Sequence, residues 1–320
     1  MANQVEKINN IAISSIEKVN TLTDAQIEKI NTLEFTSSIA IGTWTAESDG
    51  LESSLYAGGH AGNGDAGIYF GGYNGSQANA TEEWNGSVWS GGGNLNLESH
   101  GTQGAGSQTS CIKIAGDTDM DGTRNFVECE QYDGSSWTST TNTSLNHSEA
   151  AVGGTSKDNC TVALGGETKA ETWNGSSWST GSDNSTTRRD AIASGQSGGS
   201  GDMMVCGGKI TDGTLQTTVQ KYDDTWSALA SQPVATRAQG AFGNTNSADV
   251  IVFGGETASE GNGVADTYEF NNGAWTTGNS LTRARRNAGG TGPSGNGLTG
   301  GGYDGSFRNY TDTFSRTVST

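Results

Sequence analysis

Glycine is absent from the first 41 residues of this 320-residue chain, and fifty glycines follow. That change of composition places a boundary between Thr36 and Gly42. Histidine occurs three times and cysteine four, with no Cys-x-x-Cys or His-rich spacing, so no zinc pattern is present. No apolar run is long enough for a membrane-spanning helix. Met1-Ala2-Asn3-Gln4-Val5-Glu6-Lys7 leads into no unbroken apolar stretch, so no secretory signal is expected. Basic residues are scarce: 17 Lys and Arg stand against 35 Asp and Glu, a net charge of −18 whose field repels nucleic acid and anionic membranes. Hydrophobic residues make up only 31% of the chain and proline occurs twice. With so much Gly, Ser, Thr and Asn this would be a disordered composition if it had no period.

It has one. Thr172-Trp173-Asn174-Gly175-Ser176-Ser177-Trp178 follows Gly165-Gly166, and the phrase returns as Glu83-Trp84-Asn85-Gly86-Ser87-Val88-Trp89 and Gln131-Tyr132-Asp133-Gly134-Ser135-Ser136-Trp137. Looser copies end in Trp226 and Trp275. Two aromatics flanking Asn-Gly or Asp-Gly predict a tight β-hairpin with a type I′ turn. Glycine pairs or their equivalents begin at 71, 115, 165, 207, 254 and 301, with Ala115 replacing the first glycine of the second pair. A period in the forties is that of a β-propeller with one four-stranded blade per repeat. The last repeat stops at Phe314 without its tryptophan, while Trp44 has no repeat before it. The strand bearing Trp44 is therefore expected to complete the sixth blade and leave no sheet edge open. The fold class predicted is all-β: a six-bladed propeller over residues 37–320, closed by an N-terminal strand, with a short docking segment at residues 1–36.

That segment carries its own repeat every eleven residues: Val5-Glu6-Lys7-Ile8-Asn9, Ile16-Glu17-Lys18-Val19-Asn20 and Ile27-Glu28-Lys29-Ile30-Asn31. Its apolar residues step by three, a stripe that drifts around a helix. Short helical turns capped by Ser14 or Ser15 and by Thr23 or Asp24, alternating with short extended pieces, are expected instead. Ile8, Ile16, Val19, Ile27 and Ile30 are its docking candidates, toward the propeller, further copies of the chain or a partner.

Val219-Gln220-Lys221-Tyr222-Asp223-Asp224-Thr225-Trp226, preceded by Gly207-Gly208 and followed by Arg237, resembles a kelch motif, as does Gly254-Gly255 through Trp275. The resemblance covers residues 42–320 and implies architecture without activity, because kelch propellers serve as enzymes, adaptors and adhesins. The eleven-residue repeats ahead of a Gly/Ser/Asn-rich ring also resemble structural proteins of tailed, especially marine, bacteriophages. That resemblance implies a virion protein assembled in the host cytoplasm and released by lysis.

Asp117-Thr118-Asp119-Met120-Asp121-Gly122-Thr123-Arg124-Asn125-Phe126-Val127-Glu128 matches the calcium-loop spacing. Clustered carboxylates repel one another unless protons or a hard cation intervene, which makes Asp117, Asp119, Asp121, Thr123, Asn125 and Glu128 candidate Ca2+ ligands. The alternative is a solvated acidic turn. Ten or eleven residues after the hairpin tryptophans come His100, His147, Arg188 with Arg189, Arg237, and Arg285 with Arg286. With Arg283 they form a candidate anion, glycan or partner site near the channel, or else guanidinium and imidazole groups that tie neighbouring blades together. Cys111 and Cys129 fall on adjacent strands and are near enough in sequence to meet; with Cys160 and Cys206 the alternative is four buried free thiols. No nucleophile elbow or phosphate loop is present.

The function expected is a non-catalytic phage virion component (tail, neck, fibre or capsid appendage), anchored to other virion proteins through residues 1–36 and displaying a propeller for packing or host contact. A glycan-binding or receptor-binding adhesin is the alternative, and a carbohydrate-active enzyme is a third. Nucleic acid and membrane insertion are not expected; self-association is compatible.

Overall fold

The computed structural model describes residues 41–117, 126–194, 203–243, 249–258 and 261–316, together with six two-residue strands nearer the N-terminus. Two compact units result, 42–315 and 1–41 with 316–320. The division falls at Gly42 rather than at residue 37.

In the smaller unit, Lys7–Ile8 pairs with Ile11–Ala12, Lys18–Val19 with Leu22–Thr23, and Lys29–Ile30 with Leu33–Glu34. The eleven-residue period is thus a period of small hairpins, each bracketing an Asn-Asn or Asn-Thr pair. Thr23 lies in a strand, which overturns its reading as a helix cap. Ile8, Val19 and Ile30 sit on these strands; Ile16, Ile27, Ser14, Ser15 and Asp24 lie outside the described residues.

The larger unit is a six-bladed β-propeller. Blade 1 comprises Gly59–Gly62, Gly67–Phe70, Thr81–Trp84 and Trp89–Gly91. Blade 2 comprises Gln103–Ser107, Ser110–Ile114, Cys129–Tyr132 and Trp137–Ser139. Blade 3 runs Ala151–Ser156, Asn159–Ala163, Lys169–Trp173, Trp178–Asp183. Blade 4 runs Ile192–Ser194, Met203–Cys206, Val219–Asp223, Thr225–Ala228. Blade 5 runs Gly240–Gly243, Asp249–Phe253, Thr267–Asn271, Ala274–Thr277. Blade 6 has Gly290–Thr291, Asn296–Gly300 and Thr311–Ser315, and its fourth strand is Thr43–Ala46, with Trp44 directly opposite Phe314. The predicted closure is observed.

First strands meet first strands in an unbroken cycle around the axis. Some positions near the axis have no room for a side chain: a Cβ on Gly104 would come within 2.5 Å of the Phe70 ring, and one on Gly297, in a second strand, within 2.3 Å of Phe242. The apolar core is six clusters, one per blade interface; that between blades 5 and 6 gathers Trp44, Phe242, Phe253 and Phe314. A low hydrophobic content suffices because each seam is thin and closed by aromatics.

The outer hairpins follow one rule. Each pairs two aromatic rings at 4.9–5.4 Å: Trp84 with Trp89, Tyr132 with Trp137, Trp173 with Trp178, Tyr222 with Trp226, Phe270 with Trp275, and Phe314 with Trp44. The fourth-strand indole N–H then donates backwards out of its own blade: Trp137 to Thr81 Oγ1, Trp89 to Thr311 Oγ1, Trp44 to Thr267 Oγ1, and Trp178, Trp226 and Trp275 to the carbonyls of Thr141, Ser182 and Ala230. The turns differ from expectation. Trp84 pairs with Trp89, so four residues connect the strands, and Asn85 Oδ1 accepts the N–H groups of Ser87 and Val88. Asp133 and Asn174 do the same. The acceptor side chain closes the loop, and the glycine supplies positive φ at one position only. A two-residue turn with positive φ at both positions occurs in blade 5, at Asn272-Gly273.

Blade 3 corrects the repeat alignment. Gly72, Gly165, Gly208, Gly255 and Gly302 make equivalent N–H bonds to the next interblade connection, so Leu164, not Gly165, corresponds to Gly71. Leu164 and Ala115 both hold left-handed backbone, at φ 65° and 54°, where glycine is the unstrained choice.

Candidate functional site at one mouth of the channel

Each connection enters its blade through a residue with left-handed backbone: Ala57, Gly101, Glu149, Asp190, Ala238 and Asn287, at φ 52–62°. Their peptides join around the axis. Gly101 N–H donates to Ala57 O at 2.7 Å, Ala57 to Asn287 at 3.0 Å, Asn287 to Ala238 at 2.8 Å, Ala238 to Asp190 at 2.9 Å and Asp190 to Glu149 at 3.1 Å. This collar fixes one mouth of the channel. The other end is bordered by the glycine-rich strand ends around Gly62, Gly106, Gly154 and Gly292, beside a cavity of about 380 Å3.

The residue just before each collar position decides what the mouth presents. Tyr56 bridges Tyr73, His100 bridges Asp117, Arg189 bridges Lys209, Arg237 bridges Glu256 and Arg286 bridges Tyr303. These pairs make a rosette with two sectors. The aromatic sector holds Tyr56, Tyr73, Tyr303 and Phe307, all half-buried, with Tyr56 stacked on Phe307 at 5.6 Å and 3° and Tyr73 tilted over His100 at 5.3 Å. The charged sector holds Arg237, whose guanidinium reaches Asp190 at 2.8 Å and Glu256 at 2.9 and 3.0 Å. Lys209 Nζ meets Asp190 at 2.8 Å, and Arg286 meets Glu256 at 3.3 Å. Arg286 also lies 4.9 Å above the Tyr303 ring, joining the two sectors by a cation–π contact.

Glu149 and Asp190 are two neighbouring carboxyls on the collar. Burial raises Glu149, and the Asp190 charge raises it further against the pull of Lys209 and Arg189. For Asp190 burial acts upward too, but bonds and charge from Lys209 and Arg237 prevail and hold it low. Of the two carboxyls, Glu149 is therefore the one that takes up a proton first as pH falls.

One residue further back the side chains turn inward. His147 is wholly buried, Nδ1 against Leu164 O at 2.8 Å and Nε2 against Glu171 Oε2 at 3.0 Å. Arg188 donates to Gly207 O, Thr218 O and Gln220 Oε1 at 2.7, 3.0 and 2.6 Å. Arg285 meets Asp312 at 2.7 Å with both side chains fully buried. Of the candidates at this spacing, His147, Arg188 and Arg285 tie the ring together, while His100, Arg189, Arg237 and Arg286 face the mouth. Arg283 stands over the Tyr310 ring at 4.3 Å.

The acceptors of these inward groups were not singled out from the sequence. Glu82, Glu130, Glu171, Gln220 and Asp312 occupy one position in the third strand of five blades, and Tyr268 occupies it in blade 5. The carboxylates receive the incoming connection: Glu82 from the N–H groups of Glu52 and Ser53, Glu130 from Asn96 and Leu97, Glu171 from Ser144 and Leu145. Lining up the glycine pairs and reading eleven residues onward from Gly71 to Glu82 and from Gly301 to Asp312 is the signal that would have found them.

Of the calcium candidates, Asp119, Asp121, Thr123 and Asn125 lie outside the described residues. Asp117 exchanges two backbone hydrogen bonds with His100, and the Glu128 carbonyl accepts from Lys113 Nζ at 3.2 Å. The cysteines are free and buried. Cys111 faces Tyr132 and Cys129 faces Ile114, a stagger along adjacent strands that keeps their side chains apart. Among the described residues no helix is long and apolar enough to cross a membrane.

No protein-family model and no curated protein sequence matches the chain. Its structure is similar to the solved structure of YjhT, with a TM-score of 0.66 and 12% identity over 82% of this chain and 95% of that one. At that identity the likeness carries the fold alone. The sheet topology and this likeness together identify residues 42–315 as a six-bladed β-propeller.

Proposed function

We propose that this chain is a non-catalytic structural protein of a tailed-phage virion, a kelch-like propeller attached to other virion proteins through residues 1–36. Its rosette face contacts carbohydrate on the host surface. The observation that carries the host-contact reading over simple packing is the half-buried Tyr56, Tyr73, Tyr303 and Phe307 platform adjoining the ion-paired Arg286 and Arg237. Aromatic faces take the C–H faces of sugars, and fixed guanidinium and carboxylate pairs offer directional partners for hydroxyls. The hairpin segment supports the attachment reading, because six strands of two residues have too little apolar surface to stand alone. Ca2+ at the 117–128 loop belongs to the same proposal, as a clamp on an acidic connection.

A glycan array probed with the full chain tests the recognition role: binding that falls at least about tenfold in Tyr56→Ala supports it. Equal binding by the variant, or no binding to any glycan, removes host contact and leaves packing. Deletion of residues 1–36 tests attachment, which fails if the truncated chain still enters particles. A melting temperature indifferent to chelator sinks the calcium assignment.

A further inference from the structure

Blade 4 differs from blades 3 and 6 in the charge it buries. In blade 3 the inward His147 faces Glu171, and in blade 6 the inward Arg285 faces Asp312. At the same level of blade 4, Arg188 is 2% exposed and, among the described residues, its hydrogen-bond partners are two backbone carbonyls and the amide oxygen of Gln220. Gln220 stands where blades 1, 2, 3 and 6 carry a carboxylate. A buried guanidinium satisfied only by neutral acceptors keeps its charge uncompensated, which is costly in a low-dielectric interior. Burial correspondingly lowers the Arg188 pKa to about 10.

The compensating charge has a place to come from outside. A cavity of about 290 Å3 is bordered by Arg188, Arg189, Lys209, Thr187 and Thr211. Arg189 is exposed and makes no carboxylate ion pair among the described residues. Its guanidinium lies against Gly166, where an added Cβ would sit 3.0 Å from Nη2, so the absence of a side chain there seats it. Lys209 also borders the cavity, and its ammonium is held at 2.8 Å from Asp190. A lining of an exposed arginine, a lysine, the buried Arg188 and two threonines suits a tetrahedral oxyanion.

We propose that this cavity, between blades 3 and 4 beside the rosette, is an oxyanion site that takes a phosphate or sulfate ester of the surface carbohydrate, the ester supplying the counter-charge that Gln220 does not. This rests on the rosette's reading as a carbohydrate-contacting face and names the class of carbohydrate.

The test is calorimetric titration of the full chain with inorganic phosphate and with glucose 6-phosphate, at ionic strength held constant with sodium chloride. Both are expected to bind at one site. Arg189→Ala, a change at an exposed side chain, weakens each by at least about tenfold. Gln220→Glu places a carboxylate against Arg188, so it also weakens binding while raising the melting temperature in phosphate-free buffer. Tyr56→Ala, which removes part of the sugar platform, leaves inorganic phosphate binding unchanged. Absence of phosphate binding, or equal binding by Arg189→Ala and Gln220→Glu, overturns the site. Binding of inorganic phosphate with rejection of glucose 6-phosphate overturns the ester assignment in favour of free phosphate. Glycan-array binding that is lost in Tyr56→Ala but kept in Arg189→Ala sinks the oxyanion site while leaving the recognition face standing.

Discussion

Trp44 and Phe314 lie edge to face with ring centroids 5.0 Å apart, on paired strands drawn from distant parts of the chain. Trp44 also contacts Phe242 and Phe253 of blade 5, and its indole N–H donates to Thr267 Oγ1 at 3.0 Å. One side chain therefore belongs to the blade it completes and to the blade before it.

Replacing Trp44 with Ala should cost about 3–5 kcal/mol, the range for truncating a buried aromatic. Trp178, half-buried and equivalent in its hairpin, should cost clearly less as Trp178→Ala. Chemical denaturation of the two variants checks this; equal losses would mean that the closing strand is no more critical than any other.

The Asn174 side chain closes its hairpin by accepting from Ser176 and Ser177 N–H at 3.0 and 2.9 Å. Asn174→Ala is expected to destabilise by about 1 kcal/mol and Asn174→Asp to be nearly neutral, since the carboxylate at Asp133 makes the same bonds. A larger loss in Asn174→Asp than in Asn174→Ala would contradict the acceptor role.

For Glu171, burial acts to raise the carboxyl, but His147 and the N–H groups of Ser144 and Leu145 outweigh it and hold its pKa below the ordinary value. A depressed carboxyl contributes stability above its unfolded pKa, about 4.3, and loses it as pH falls through the lower folded value. Urea unfolding of the wild type should therefore weaken with acid below that point, and Glu171→Gln should show a shallower dependence at the cost of about 1–3 kcal/mol near neutrality.

His60 is 4% exposed, and burial lowers its pKa to about 4. The neutral ring is the stable form, so its contribution is complete above the unfolded pKa near 6.5 and disappears as pH falls from there through about 4. Proton NMR of the imidazole should show no titration between pH 7 and 5, while a midpoint near 6.5 would place His60 in water.

Much of the architecture was legible in the sequence because it is written six times. The recurring glycine pairs and paired aromatics specify a blade, and the orphan Trp44 specifies how the ring shuts. The turn type was misread because Asn-Gly is also the opening of a four-residue loop, and only the pairing of Trp84 with Trp89 distinguishes the two. Leu164 escaped because a leucine in left-handed backbone is locally unfavourable and is held there by neighbouring blades. The eleven-residue segment gave its period but not its conformation, since a stripe stepping by three fits neither a helix face nor a strand face.

The sequence by itself determined the repeat, the number of blades and the identity of the closing strand, because local turn and pairing preferences add up in phase. The tertiary structure alone decided which candidate side chains face the mouth. His147, Arg188 and Arg285 differ from His100, Arg189, Arg237 and Arg286 by one position relative to the collar, and one residue of offset sends a side chain either into the sheet stack or onto the rim. It also decided that Gln220 stands where other blades hold a carboxylate, a relation between strands that no single repeat reveals.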